Sequence, residues 1–281
     1  MNTHTSGWLR HEKTFQLFKY TIYILLAVDV VLFFLDDWAA SSFVFAQGVA
    51  FGDIINAFVA TIDTAAWVLL LLLFELETWV LDDNQIKGLT KWLLHGIRVV
   101  CYAIIIYSFF GYIMHGFDLY VFAAIDSRNV CDLMSTYPSF MTDLDEFSSL
   151  TRENCHTLSG GSTLLANADT HILTNTEALN SALTLAWTDI INSGTWLAVV
   201  AVLEIDVHLQ LAGKHRDKFA KMNTAIKTLL YITLFGVAAF WGYAGSFLDF
   251  WDAFLWLVAF IFIELNIFEW QSETLDAEVN L

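Results

Sequence analysis

Proline is all but missing from this sequence: Pro138 is the only one in 281 residues. Proline and glycine interruptions mark the unwound helices at which many secondary transporters hold their ions. With no proline in the apolar stretches, a broken-helix carrier is disfavoured and a signature built on a repeated proline is excluded. Gly111, Gly236, Gly242 and Gly245 lie in those stretches, but none of them reads as unwound. Cysteine is scarce too, with three residues and no Cys-x-x-Cys pair, which argues against a thiolate metal site. Cys101 sits in an apolar stretch and reads as a packing residue. Cys131 and Cys155 share one long polar segment, and a disulfide between them is expected if that segment faces an oxidising compartment.

Positive charge is the third shortage. There are 13 Lys and Arg against 30 Asp and Glu, a net charge of −17. The basic residues fall in short clusters, so no nucleic-acid surface is expected. Phosphate-binding loops, nucleophile motifs and histidine-rich oxidase patterns are likewise missing.

Apolar length is what the sequence has in excess. It is 57% hydrophobic and 16% aromatic, well beyond a soluble domain. Six apolar runs, at about 20–35, 64–81, 97–115, 190–208, 226–247 and 251–270, approach the roughly 20 residues that cross a hydrocarbon core as a helix. The expected fold is an all-α integral membrane protein of six transmembrane helices. A cleaved signal peptide is argued against by the charged start and by Asp36 and Asp37 ahead of Ala39 and Ala40.

Of the 13 basic residues, 11 fall before helix 1, between helices 2 and 3, or between helices 4 and 5. The positive-inside rule then puts both termini in the cytoplasm, and a bacterial inner (plasma) membrane is expected. The parts are a cytoplasmic segment 1–19, helices 1–3 over 20–117, an extracytoplasmic loop 118–186, helices 4–6 over 187–270, and an acidic tail 271–281. The loop carries nine acidic residues against Arg128 and Arg152. It is expected to be a small, partly helical cap, either an acidic mouth that attracts cations or a solvated face. The segment 39–62 carries no Lys or Arg and is expected along the interface or dipping into the membrane.

An internal repeat organises the charged positions. At an offset of 129 residues, Asp63 falls on Asn192, Trp67 on Trp196, Glu75 on Glu204, Glu77 on Asp206, Arg98 on Lys227 and Tyr102 on Tyr231. Asp252, Trp256, Glu264 and Asn266 supply a third even-numbered copy, and Lys19 and Tyr23 a third odd-numbered start. The expected architecture is therefore a pseudo-threefold repeat of helix pairs.

Along a regular helix Glu77 lies about 200° around from Glu75, so the two cannot share a face. Glu75, Glu204 and Glu264 are read as inward, against Lys19, Arg98 and Lys227, with Glu77 turned to the interface. Such a ring is either a salt-bridged collar or a gate. Asp29, in mid-membrane, is read as a transport residue or as hydrogen-bonded to Ser108, Thr228, Thr233 or a tyrosine. Glu204, Asp206 and His208 alternate, and a divalent cation at Glu204 and His208 is a minor alternative. His95 and His115 stand at opposite ends of helix 3 and cannot clamp one haem. No cofactor is expected. Trp8, Trp38, Trp79, Trp92 and Trp270 read as interfacial anchors.

The function these features favour is a channel or transporter for a cation or proton. The rival is a non-transporting structural or assembly subunit, alone as a homo-oligomer or within a larger membrane complex, with the lipid bilayer as surroundings in either case.

Overall fold

The computed structural model describes residues 4–46, 48–81, 87–126, 129–158, 163–211 and 217–261. It is predominantly helical, and among the described residues five helices are long and apolar enough to span a membrane. They are α1 (His4–Val44), α3 (Val59–Glu75, continued by a π-helical turn Leu76–Val80), α4 (Leu89–Asp118), α6 (Thr176–Leu211) and α7 (Asp217–Ala244). Between them lie the one-turn helices α2 (Ile54–Ala57) and α5 (Cys155–Leu158). A further helical stretch runs over 247–261, so the rest of the sixth expected helix, with Glu264 and Asn266, lies outside the described residues.

The lipid-facing character is visible side chain by side chain. Ile24, Val31, Val99, Leu229 and Phe235 are all more than half exposed. A water-soluble protein does not leave such residues uncovered along several helices. In hydrocarbon the same surface is solvated by acyl chains, and every backbone donor is satisfied within its helix. Trp38 and Trp92 are also exposed.

The helices are longer than the apolar runs that announce them. α6 begins at Thr176 rather than near 187, because Asn175 caps it: its side-chain oxygen accepts from Ala178 N–H at 2.8 Å. Glu177 stands in the same first turn, where the helix dipole favours a negative charge. The segment after α1 is made of short helical turns. It forms a short turn of 3-10 helix (Phe51–Asp53), then α2, and leads into α3. Asp37 anchors this passage by accepting from both Thr61 N (2.9 Å) and Thr61 Oγ1 (2.6 Å).

The expected partly helical cap is instead mostly β. Strands β1 (Ala123–Ala124), β2 (Ser139–Asp143), β3 (Glu146–Ser149), β4 (Leu164–Asn167) and β5 (Ile172–Asn175) form one sheet in the order β1-β4-β5-β2-β3. Neighbours are antiparallel except β2 and β5, which run parallel with Ser139 opposite Ile172. Tight turns close the hairpins. Asp145 and His171 adopt positive φ, and Asn167 Oδ1 accepts from Asp169 N and Thr170 N, an Asx turn.

Both faces of the sheet are buried. Phe140, Leu164, Ala166 and Leu173 pack with Val130, Leu150 and Cys155 on one side. Met141 and Ile172 pack with Leu119, Leu179, Ala182 and Ala186 on the other. The period-2 alternation of a strand sends Phe140 and Met141 to opposite faces. The second face rests on the first turns of α6, so the sheet is seated on the helical bundle. Cys131 and Cys155 are bonded, closing the first face as the sequence led us to expect.

The contact pattern divides the chain into two compact units, 1–29 with 231–281, and 30–230. In the first, Gly245 ends α7 with φ +94, and both Gly245 N and Ser246 N donate to Trp241 O. This left-handed cap turns the chain into the 247–261 helix. The second contains α3, α4 and α6 together with the sheet.

Candidate functional site

In the larger unit α4 runs between two polar regions, one at each end. Lys87, Lys91 and Arg98 mark its start, and the sheet follows its finish. The 30 residues of α4 separate these ends by about 45 Å at 1.5 Å per residue.

At the basic end, Arg98 forms an ion pair with Glu77. One turn further along the same face, Tyr102 Oη donates to Glu204 Oε1 at 3.2 Å. A single face of α4 thus reaches the end of α3 through Arg98 and α6 through Tyr102. Regular-helix geometry turns Glu77 outward, yet in the structure Glu77 holds the arginine. A π turn lies at the same place: Leu81 N donates to Leu76 O at 2.9 Å, an i→i+5 bond, and the wider turn changes the angular phase of the residues that come after it. Glu75, just ahead of it, is 4% exposed. Lys227 is half-buried on α7.

Glu264 and the side chains of Asp206 and His208 lie outside the described residues. Lys19 belongs to the smaller unit. It is 1% exposed, and its ammonium lies 5.1 Å from the ring centre of Tyr20, a cation–π contact.

Asp29 lies mid-span in α1 and is 1% exposed. Neither of its carboxylate oxygens has a hydrogen-bond partner among the described residues, so the expected bond to Ser108, Thr228, Thr233 or a tyrosine is not made. A buried carboxyl group without partners forfeits its hydration with nothing in exchange.

A second polar group near the sheet end was not singled out as a site by sequence reasoning. Asp63, one turn into α3, is 7% exposed. Its carboxylate accepts side-chain hydrogen bonds from Trp67 and Tyr112, while its Oδ1 has no partner. Asn192 Oδ1, Ser108 Oγ and Ser193 Oγ are also buried and unpartnered. The signal in the sequence was the recurrence of Asp or Asn four residues before Trp. It served there to align the helices, and its chemistry was passed over.

Comparison with protein-family models, curated proteins and solved structures gave no match. The functional reading therefore rests on the side chains themselves. One group of three metal-ligand side chains converges among the described residues, namely Cys131, Cys155 and His156. Its two sulfurs are bonded to each other, so it offers no thiolate to an ion. The divalent cation considered for Glu204 and His208 would have to share Glu204 with Tyr102.

Proposed function

We propose that the chain is an integral membrane channel or transporter for protons or small cations. The observation that carries the reading is Asp29, enclosed in mid-span with both oxygens unpartnered. Intramembrane ionisable groups mark ion and proton pathways by default, because a merely structural position would select an apolar side chain. In this reading Asp29 exchanges a proton or cation. Within the larger unit, Glu75, Glu204, Arg98 and Lys227 are the charged groups read as its cytoplasmic-side gate.

Six helices in three tandem pairs, with both termini in the cytoplasm of a bacterial inner membrane, belong to the same proposal. The pairing draws support from Trp67 and Trp196, equivalent in the repeat, whose rings lie 6.4 Å apart. The test is flux in proteoliposomes under imposed pH and voltage gradients. Asp29→Asn and Glu75→Gln are each expected to slow wild-type flux about tenfold or more, a barrier change of ~1.4 kcal/mol. A wild-type protein tight to H⁺, Na⁺, K⁺ and Ca²⁺ removes the proposal.

A second reading, a structural or assembly subunit, is favoured by the Arg98–Glu77 pair, which ties helix ends together as a fixed collar would. It requires stable co-purification with other membrane subunits from the native source, and isolation as a lone, ion-conducting species counts against it.

A further inference from the structure

We infer that His115, with Asp145, Asp36 and Asp37 around it, forms a proton-controlled latch between the β2–β3 hairpin and the helix ends on which it rests. The hairpin is held while His115 carries its proton and loosens when the proton leaves. All four residues belong to the larger unit. The inference rests on how the sheet is seated and not on the transport reading, so either can fail alone.

The hairpin's place in the sheet lets a weak force show. β3 is an edge strand whose ladder partner is β2, so it is held from one side. Segments held this lightly open at low free energy. Side chains seat the turn. Phe147 stacks on Phe43 of α1 with ring centres 5.6 Å apart, and Asp143 Oδ2 accepts from Ser181 Oγ of α6 at 3.2 Å. Between these two anchors Asp145 sits at the apex with φ 60, a left-handed conformation that Asp and Asn adopt more readily than most residues.

Asp145 Oδ1 lies 3.6 Å from His115 Nε2. His115 stands in the last turn of α4, where the helix dipole favours a cation. The groups facing this pair are acidic. From α1, Asp37 interacts electrostatically with both His115 and Asp145, and Asp36 with Asp145. Asp118 follows three residues on along α4. No lysine or arginine among the described residues pairs with Asp36, Asp37 or Asp145, so His115 is their source of positive charge there. Histidine gains and loses its charge between about pH 5 and 8. With the proton bound, His115 pairs with Asp145 and offsets the α1 carboxylates. With the proton gone, Asp145 faces them without a counter-charge, and like charges push the apex away. Loss of a proton from Asp36 or Asp37 pushes the same way, so the sign does not depend on which group titrates first. The side chains of His115 and Asp145 are 31% and 47% exposed, which lets protons exchange and holds the effect to a few-fold.

The test is amide hydrogen exchange of the purified full-length chain in detergent at about pH 5.5 and about pH 8, on either side of histidine's charge change, each rate divided by the intrinsic rate at that pH. Protection over 143–149 should fall about three- to fivefold at the higher pH, the scale of a half-exposed ion pair. β4 and the middle of α4 should hold theirs. His115→Gln should show the low protection at both pH values, and His115→Lys, which keeps its charge, the high protection at both. Asp145→Asn retains a residue suited to the left-handed turn and should lose the pH response. The reading is a ratio between two pH values within one variant, so a substitution that weakens the sheet generally does not mimic the result. Wild-type protection over 143–149 that is equal at both pH values overturns the inference. So does a pH response undiminished in His115→Gln and Asp145→Asn. A response shared equally by β4 also overturns it, because the whole sheet and not the hairpin would then be answering.

Discussion

At the scale of single residues, burial and partnership separate the carboxylates more clearly than position in the chain does. Glu77 and Glu204 each have a named partner on α4, Arg98 and Tyr102. Asp29 has none among the described residues, and Asp63 has partners for only part of its carboxylate. The Arg98–Glu77 pair is half-exposed on both sides, so solvent screening reduces what it contributes. A double-mutant cycle with Arg98→Ala and Glu77→Ala is expected to return a coupling of about 0.5–1 kcal/mol in thermal unfolding. A coupling of several kcal/mol would mean the pair is dry and structurally decisive. Glu77 also shows how far sequence reasoning reaches. The acidic pair at the end of a greasy run was legible, with Glu75 buried and Glu77 partly exposed, but the pairing of Glu77 with Arg98 was not. Nothing in "LETWV" declares a π turn in advance.

At the scale of elements, the long helices were legible and the sheet was not, for a physical reason. A span requires some 20 apolar residues in a row, which few other structures produce. The strands here are two to five residues long, and the central β4 and β5 are buried along most of their length, so the polar–apolar alternation that would announce them is blurred. Their surroundings are rich in Ser, Thr, Asn and Asp, which read as loop. The disulfide, by contrast, was legible from the location of two cysteines alone. It encloses a 24-residue separation, for which the chain-entropy relation gives about 3.5 kcal/mol of stabilisation. Reduction, or Cys131→Ser with Cys155→Ser, is expected to speed amide hydrogen exchange in β2, β4 and β5 while leaving the middle of α3 and α4 unchanged. Equal acceleration in both regions would show that sheet and helices unfold as one cooperative body.

At the scale of the whole molecule, the exposed apolar helices make the bilayer part of the solvent, and the remaining question is direction. The basic residues before α4 and the sheet after it must lie on opposite membrane faces if α4 spans. With the basic end inward, Ser149→Cys in β3, exposed on the sheet, should react with an impermeant maleimide on intact cells. Lys91→Cys, exposed near the start of α4, should react only after permeabilisation. The reverse pattern inverts the topology and places the disulfide in a reducing compartment, where it would not persist.

The π turn at the end of α3 bears on how far one spacing of charged residues determines the winding of the backbone that carries it. An i→i+5 ring holds one more residue than an i→i+4 ring, so Leu76–Val80 is wider than the helix before it. The stretch of α6 around Glu204 is α-helical throughout. The two stretches align at a constant offset of 129 residues on either side of the turn, Glu75 on Glu204 and Arg98 on Lys227, so they differ in winding and not in chain length. The same spacing of charged residues is thus carried by two different backbones, and in each a different carboxylate of the pair meets α4, Glu77 through Arg98 and Glu204 through Tyr102.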